Sequence, residues 1–338
     1  MGGAAVRGAE QGIEGPPAGG GARAFILAAG LGTRLRPLSA VLPKPLLPVG
    51  GVAMLDHALA LLAAHGIGPQ EAIVNAHYLY ASVVAWAEAR GVAVQVELPE
   101  VLGTGGALKL AEPLLAERFV VLNGDILCDV DLTALLAAVP EGGAAMALRI
   151  EPRLAGEAPV ERDAQGVVVR MREFARGPGA PLPGTHFSGV HAAHRGVLAF
   201  ARPEFSCILR TAYKAVIGER KVRALVHRGG WIDIGAPAEY LDANLDVLDG
   251  VLIAPASPPA GSLRGAGGAL ILPGAAVHGG VRRSVIGAGA VVSVGADLED
   301  CVVWDGVIVP EGSFRRCVLY GLPGEAAKVL EVPVADAG

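Results

Sequence analysis

Phe25-Ile26-Leu27-Ala28-Ala29-Gly30-Leu31-Gly32-Thr33-Arg34-Leu35 is the stretch on which the reading of the fold turns. The apolar run from Phe25 to Ala29 breaks at a glycine, as a buried strand does where it enters a loop. Leu55, Leu59 and Leu62 then recur at helical spacing, and Gly66 supplies a stop. Ala72-Ile73-Val74 predicts a second strand, with a helix through Trp86 to Arg90 behind it. Val92–Val96 predicts a third strand, Gly106 to Leu115 a helix, and Phe119–Leu122 a fourth strand. Strand–helix repetition of this kind predicts an α/β domain. Its sheet is Rossmann-like, mixed and mainly parallel, with helices on both faces. In such sheets ligands bind beyond the carboxyl ends of the strands, so chemistry is sought just after each one.

The texture changes after Ala254, where a Pro/Gly/Ser stretch reaching Gly268 predicts a linker. Ile271–Val277, Val285–Val291 and Val302–Val307 then repeat an aliphatic–glycine theme, the pattern of hexapeptide coils in a short left-handed parallel β-helix. The expected organisation is a disordered tail over 1–22, a catalytic domain over 23–250, a linker over 251–268, a β-helix over 269–322 and a tail over 323–338. The tail assignment rests on a Gly/Ala-rich segment without a compact apolar core, which also argues against a signal peptide.

Composition narrows the function classes. The 338 residues carry 28 basic and 33 acidic side chains, interspersed, for a net charge of −5. That leaves no basic stripe for nucleic acid and no polybasic membrane patch. No run of apolar residues is long enough to span a bilayer. Cys128, Cys207, Cys301 and Cys317 are far apart and form no Cys-x-x-Cys pair, which predicts a reducing, cytoplasmic setting.

The glycine-rich turn Gly30-Leu31-Gly32 lets backbone N–H groups approach phosphate oxygens, and Arg34 adds a planar cation able to grip a phosphate. Alone, Gly-x-Gly is a weak signal. It lacks the third glycine of a dinucleotide fingerprint and the Gly-Lys-Ser/Thr of a P-loop, and a tight turn would explain it equally well. Pro43-Lys44-Pro45 presents an ammonium from a stiff segment. The chain has only five lysines against 23 arginines, which suggests that a compact point charge is needed at this position. His191-x-x-His194 has two histidines at a metal-like spacing, but the preceding residues read as strand and no third ligand is near. They are read as ordinary polar positions.

Together, Leu27–Leu38 and Pro43–Val49 resemble the signature of the sugar-1-phosphate nucleotidyltransferases. The resemblance continues through Leu102–Ala107, Asn123-Gly124-Asp125, Phe187-Ser188-Gly189, Trp231–Gly235 and Tyr240–Asn244. It implies that Arg34, Lys44 and Asp125 are catalytic, with Arg34 on the triphosphate and Lys44 between nucleotide and sugar phosphate. Asp125 and Asp233 are implied as the carboxylates that hold Mg²⁺. Nucleotide contacts are implied for Ala28, Ala29, Gly30, Gly32, Thr33 and Arg34, and for Glu97, Gly103, Thr104 and Gly105 in the following loop. Sugar-phosphate contacts are implied for Lys44, Gly124, Glu173 and Gly189. Asn75 and His77 fit either a structural or a ligand role. The chain departs from the family where Phe174 and Ala175 follow Glu173, because a lysine is usual there.

The implied reaction is in-line attack of a sugar-1-phosphate on the α-phosphorus of a nucleoside triphosphate, releasing pyrophosphate. Layout is similar to the mannose-1-phosphate guanylyltransferases, with uridylyl or thymidylyl transfer to a glucose-type or amino sugar as the alternative. A regulatory subunit that senses nucleotide sugars is a reading of a different class, and a β-helix acyltransferase another. Against the first, Arg34, Lys44, Asp125 and Asp233 are all present. Against the second, the coil array is short and its only histidine is His278. An open coil end needs a cover, so a homo-oligomer is expected.

Overall fold

The computed structural model describes residues 12–14, 21–150, 160–171, 174–175 and 185–333. By contact density the chain forms two units. The first takes the chain up to Gly30, with Leu62–Gly124 and Val130–Gly229. The second takes Leu31–Leu61, Asp125–Asp129 and the chain from Gly230 onward.

The first unit is built on an eight-stranded sheet. Its strands are β1 (Gly12–Glu14), β2 (Ala22–Leu27), β3 (Ala72–Ala76), β4 (Ala93–Val96), β5 (Leu115–Asn123), β6 (Ala144–Ile150), β7 (Thr185–His194) and β8 (Val222–His227). The spatial order is β1-β4-β3-β2-β5-β7-β6-β8. β2, β3, β4 and β5 are mutually parallel, and β8 runs parallel to β6. β7 is antiparallel to both its neighbours, and β1 to β4. The sheet is therefore mixed and mainly parallel, as expected. Phe25, Ile73, Phe119 and Val121 are sealed in its core, which fits strands covered on both faces. Helix α1 (Met54–Ala64) begins in the second unit, with Leu55 and Leu62 buried. Helices α2 (Tyr80–Arg90) and α3 (Gly103–Ala111) follow β3 and β4. α3 starts three residues earlier than its apolar spacing predicts. Here the backbone of Gly103, at φ +66°, opens the helix.

The carboxyl ends of β2, β3, β4 and β5 share one edge, so Ala28, His77, Glu97 and Gly124 all leave the sheet on that side. The β7–β5 register pairs Val190 with Leu122 and so brings Gly189 level with Asn123. A register shift between Phe187 and His191 marks a β-bulge there, and bulges of this kind re-aim a strand locally.

In the second unit, three parallel ladders stack into a β-helix. One ladder advances from Leu270 to Val285, Val302 and Val318, and two others run beside it. Three full coils and a partial fourth result. Their inward aliphatics form one core with Leu35, Leu38, Leu47 and Val49 and with α4 (Pro237–Asp249) through Tyr240, Leu241 and Leu245.

Further elements lie within the expected segments. The segment read as a disordered tail contributes β1 and the first residue of β2, Ala22. The chain does not divide by packing at 251–268. The apolar edge of the coils is continuous with residues 35–54, so both fall in one unit. The linker holds a strand, Leu263–Arg264, paired to Leu270–Ile271. The expected C-terminal tail holds another, Lys328–Glu331, paired to Cys317–Tyr320.

Candidate active site

In the second unit, Trp231–Asp233 pairs antiparallel with Ile126–Cys128, and Ile234 N–H donates to Asp125 C=O at 3.1 Å. This ribbon brings Asp125 and Asp233 together from positions more than a hundred residues apart. Lys44 sits on a one-turn 3₁₀ segment, Lys44–Leu46, entered from extended Pro43. Its Nζ donates to Asp125 Oδ2 at 2.5 Å and stands 3.7 Å from Asp233 Oδ1. The lysine side chain is only 11% exposed, whereas those of Asp125 and Asp233 are 31% and 44% exposed, so the cation is sheltered and its two partners are partly open to solvent.

One cation faces two carboxylates, and the balance is incomplete. Asp125 Oδ1 and Asp233 Oδ1 are both sealed from solvent without a hydrogen-bond partner. Burial and the neighbouring Asp125 charge push the Asp233 carboxyl above the usual carboxylate range, opposed by Lys44 and Arg34. A buried anion with unused lone pairs is costly unless a cation meets it. Two carboxylates, each with an oxygen that lacks a hydrogen-bond partner, are a donor set suited to Mg²⁺. The residues present therefore fit the metal.

Arg34 lies exposed on the short turn Thr33–Leu35, and a Cβ at Gly235 would stand 2.9 Å from its guanidinium. Gly235 N–H donates to Glu239 Oε2 at 2.7 Å, which ties the end of the Asp233 strand to the first turn of α4. Gly32 packs its Cα side on Ser39 and Lys44, and Ser39 Oγ donates to Gly32 C=O. Gly32, Thr33, Arg34 and Lys44 are thus held as one local assembly.

In the first unit the loop residues form a different kind of site. Ala28 N–H donates to Asn75 Oδ1 at 2.6 Å, and Asn75 Nδ2 donates to Glu97 Oε1 at 2.7 Å. Leu102 N–H donates to Glu97 Oε2 at 2.7 Å, and Gln95 Nε2 reaches Glu97 Oε1 and Ala107 C=O. The Glu97 backbone carbonyl also meets His77 Nδ1. Glu97 is fully buried and both its oxygens are taken. Its side chain therefore holds the loop that carries Leu102–Gly105. Asn75 and Gln95 are the network members that the sequence left open or passed over. A Cβ at Gly103 would meet Ser206 C=O at 2.6 Å, and Gly105 N–H donates to that same oxygen at 2.8 Å. Thr104 Oγ1 accepts from Ile208 N–H. Beside Gly30 the space is open, since a Cβ there would meet no protein atom within 4 Å. Gly124 N–H donates to Leu27 C=O. Glu173 lies outside the described residues.

A family description, Nucleotidyl transferase, matches residues 23–250. The chain belongs to that family. Among curated proteins, the nucleotidyltransferase is 30% identical over 308 residues to the mannose-1-phosphate guanylyltransferase of Mycobacterium tuberculosis, covering 86% of this chain and 81% of that one. It is 28% identical over 257 residues to the mannose-1-phosphate guanyltransferase of Schizosaccharomyces pombe, covering 70% and 68%. Among solved structures, HddC from Yersinia pseudotuberculosis, crystallised with GMP-PN, superposes with a TM-score of 0.52 at 24% identity. That match covers 65% of this chain and 97% of that one, a likeness of fold. The protein is a sugar-1-phosphate nucleotidyltransferase.

The histidine pair of the nucleotidyltransferase is accounted for structurally. His191 lies buried in β7 with its Nδ1 against the Tyr213 hydroxyl, and burial pulls its pKa down to about 3. His194 caps the next turn by accepting from Gly196 N–H. Among the described residues no group of three metal-ligating side chains is assembled, and no helix is long and apolar enough to cross a membrane.

Proposed function

We propose that the protein transfers a guanylyl group from GTP to mannose-1-phosphate, giving GDP-mannose and pyrophosphate. The reaction class rests on the cluster of Lys44, Asp125 and Asp233. The guanine and mannose preferences are supported by the names of relatives that match over most of their length. In this reading an oxygen of the sugar phosphate forms a new bond to the α-phosphorus. The bond from that phosphorus to the bridging β-oxygen breaks, and pyrophosphate leaves with the electron pair.

The nucleophile is an anion at neutral pH and needs no general base. The remaining problem is to hold two repelling anions in line and to stabilise the charge that develops. Lys44 is held by the two aspartates and presents its ammonium from a turn with little freedom. Arg34, exposed beside Gly235, is free to reach the triphosphate. Asp125 and Asp233 would hold Mg²⁺, which when bound supplies Lewis acidity and a template for phosphate oxygens. Ala28–Gly30 and Leu102–Gly105 offer backbone groups for the base and ribose, while Glu97 and Asn75 fix their positions. Gly124, Gly189 and Glu173 are the proposed sugar-phosphate contacts.

The experiment is pyrophosphate release with Mg²⁺, crossing GTP, UTP, dTTP, ATP and CTP with mannose-, glucose- and N-acetylglucosamine-1-phosphate. Turnover confined to GTP with mannose-1-phosphate is expected. Preference for UTP or dTTP with a glucose-type sugar would replace the guanylyl reading. Silence with every pair, accompanied by tight nucleotide-sugar binding, would favour a sensing subunit. A homo-oligomer in the cytoplasm completes the reading, and light scattering that returns the monomer mass would contradict the assembly.

A further inference from the structure

The turn that carries Lys44 continues directly into a small hairpin, Pro48–Val49 paired with Val52–Ala53 across Gly50-Gly51. Both glycines have positive φ, +57° and +79°. A Cβ on Gly50 would meet Val247 at 2.9 Å, and one on Gly51 would meet Leu272 at 2.5 Å. The hairpin is therefore pressed against α4 on one side and the first coil of the β-helix on the other.

Its backbone is gripped by side chains distant in sequence. Asn244 Oδ1 accepts from Gly50 N–H at 2.9 Å, and Asn244 Nδ2 reaches Pro48 C=O at 3.4 Å. The Tyr240 hydroxyl donates to the same Pro48 C=O at 2.8 Å. Trp304, in the third coil, donates its Nε1–H to that hydroxyl at 3.1 Å. An indole nitrogen can only donate, and a phenol has a single proton. With Trp304 occupying the acceptor side of Tyr240, that proton is left to point at Pro48. Tyr240 and Trp304 are both buried, which strengthens the bond between them and favours one direction for it.

Close packing does not hold the hairpin here unaided. An open pocket of about 640 Å³ lies beside the same segment, lined among others by Leu42, Leu46, Pro48, Trp304, Asp305 and Leu322. Where side chains fail to interdigitate, apolar contact fixes position loosely. The hydrogen bonds then decide where Pro48, and the turn four residues before it, come to rest.

We infer that Trp304 and Tyr240 are positioning residues for Lys44, so that the β-helix takes part in nucleotidyl transfer through the relay Trp304–Tyr240–Pro48. Trp304 lies outside the stretch matched by the family, residues 23–250. The lysine of the matched stretch is thus set by a side chain of the coils beyond it. The inference rests on the reading of Lys44 as the phosphate-binding cation.

The test is a set of double-mutant cycles in the full chain, with kcat, KM and melting temperature measured for each variant. Tyr240→Phe is expected to lower kcat about tenfold and Trp304→Phe about threefold, with KM for the triphosphate little changed. Because both act on one relay, the double variant should lose no more than Tyr240→Phe alone. In a Lys44→Ala background, assayed by radiolabelled pyrophosphate release over hours, neither change should lower the residual rate further. A benzothiophene ring in place of the Trp304 indole keeps shape and removes only the N–H, so it reports the relay even if Trp304→Phe folds poorly. Lower melting temperatures with kcat unchanged would show a purely structural role and overturn the inference. So would rate losses that persist undiminished without Lys44. Full activity of Lys44→Ala itself would overturn the reading of Lys44, an outcome distinct from the other two, and the inference with it.

Discussion

The Glu97 network and the Lys44 cluster each gather charged or amide side chains in a sheltered place, and they resolve that burden in opposite ways. Around Glu97, one carboxylate meets donors from Asn75, Gln95 and Leu102, and Gln95 Oε1 is the single side-chain atom left over. Around Lys44, two carboxylates share one ammonium, and one oxygen of each is sealed without a hydrogen-bond partner. A satisfied buried network rigidifies its surroundings, whereas an unsatisfied one stores free energy that a ligand can release. The first is built to hold a loop still. The second is built to receive something positive together with something anionic.

That contrast breaks most visibly through catalysis. Lys44→Ala or Asp125→Ala should each reduce kcat by a hundredfold or more, on the order of 3 kcal/mol of lost transition-state stabilisation. Melting should change little by comparison in Asp125→Ala, whereas Lys44→Ala, which leaves two carboxylates without their ammonium, should also lower it. Steady-state pyrophosphate release alongside calorimetry checks both halves of the statement.

Glu97→Gln should show the reverse emphasis. An amide offers one acceptor and one donor group, so either Leu102 N–H or both Asn75 Nδ2 and Gln95 Nε2 lose their bond to residue 97. The expected cost is about 2 kcal/mol of stability, with KM for the triphosphate raised more than kcat is lowered. Chemical denaturation and a kinetic split test it. A loss confined to kcat would mean that Glu97 meets the reacting groups after all.

The first unit should also resist new charge elsewhere. His191 ordinarily titrates near 6.5 when unfolded, and burial holds it at about 3 when folded. The unfolded chain therefore binds a proton that the folded chain refuses between those values. Stability should be unaffected above pH 6.5 and fall as pH drops below it, by about 1.4 kcal/mol per unit from this residue. His191→Asn should flatten that acid limb in urea melts across the same range.

The smallest expected effect sharpens the comparison most. In the folded protein Asp233 is pushed above the usual carboxylate range by burial and by Asp125. At neutral pH its ionised form therefore opposes folding, and the penalty shrinks as pH falls into the carboxylate range. Asp233→Asn should raise the melting temperature of metal-free protein at pH 7 while lowering turnover. A lower melting temperature would show that the cluster is already balanced.

Much of this was legible along the chain because the signals were local. The apolar run ending at Gly30, the stiff Pro43-Lys44-Pro45 and the coils after Ile271 each announce themselves within a few residues. The meeting of Asp125 with Asp233 was not local. It needs Trp231–Asp233 to pair with Ile126–Cys128, and the resemblance to a family suggested it where periodicity could not. Glu97 entered as a nucleotide contact through the family resemblance, and only the fold shows three donors converging on its side chain. β1 escaped notice because an edge strand of three residues is held by backbone pairing that leaves little trace in composition. Glu239 left a faint signal, an acid in the first turn after Pro237. Trp304 left none that pointed to Lys44.

The measurement closest to the centre of this account is a calorimetric titration of Mn²⁺, as a substitute for Mg²⁺, into the full chain and into Asp233→Asn. One site is expected in the native protein, lost or weakened by more than tenfold in the variant, in line with removal of one of two carboxylate ligands. Equal binding to both proteins would contradict the assignment of Asp125 and Asp233 as the metal-holding pair.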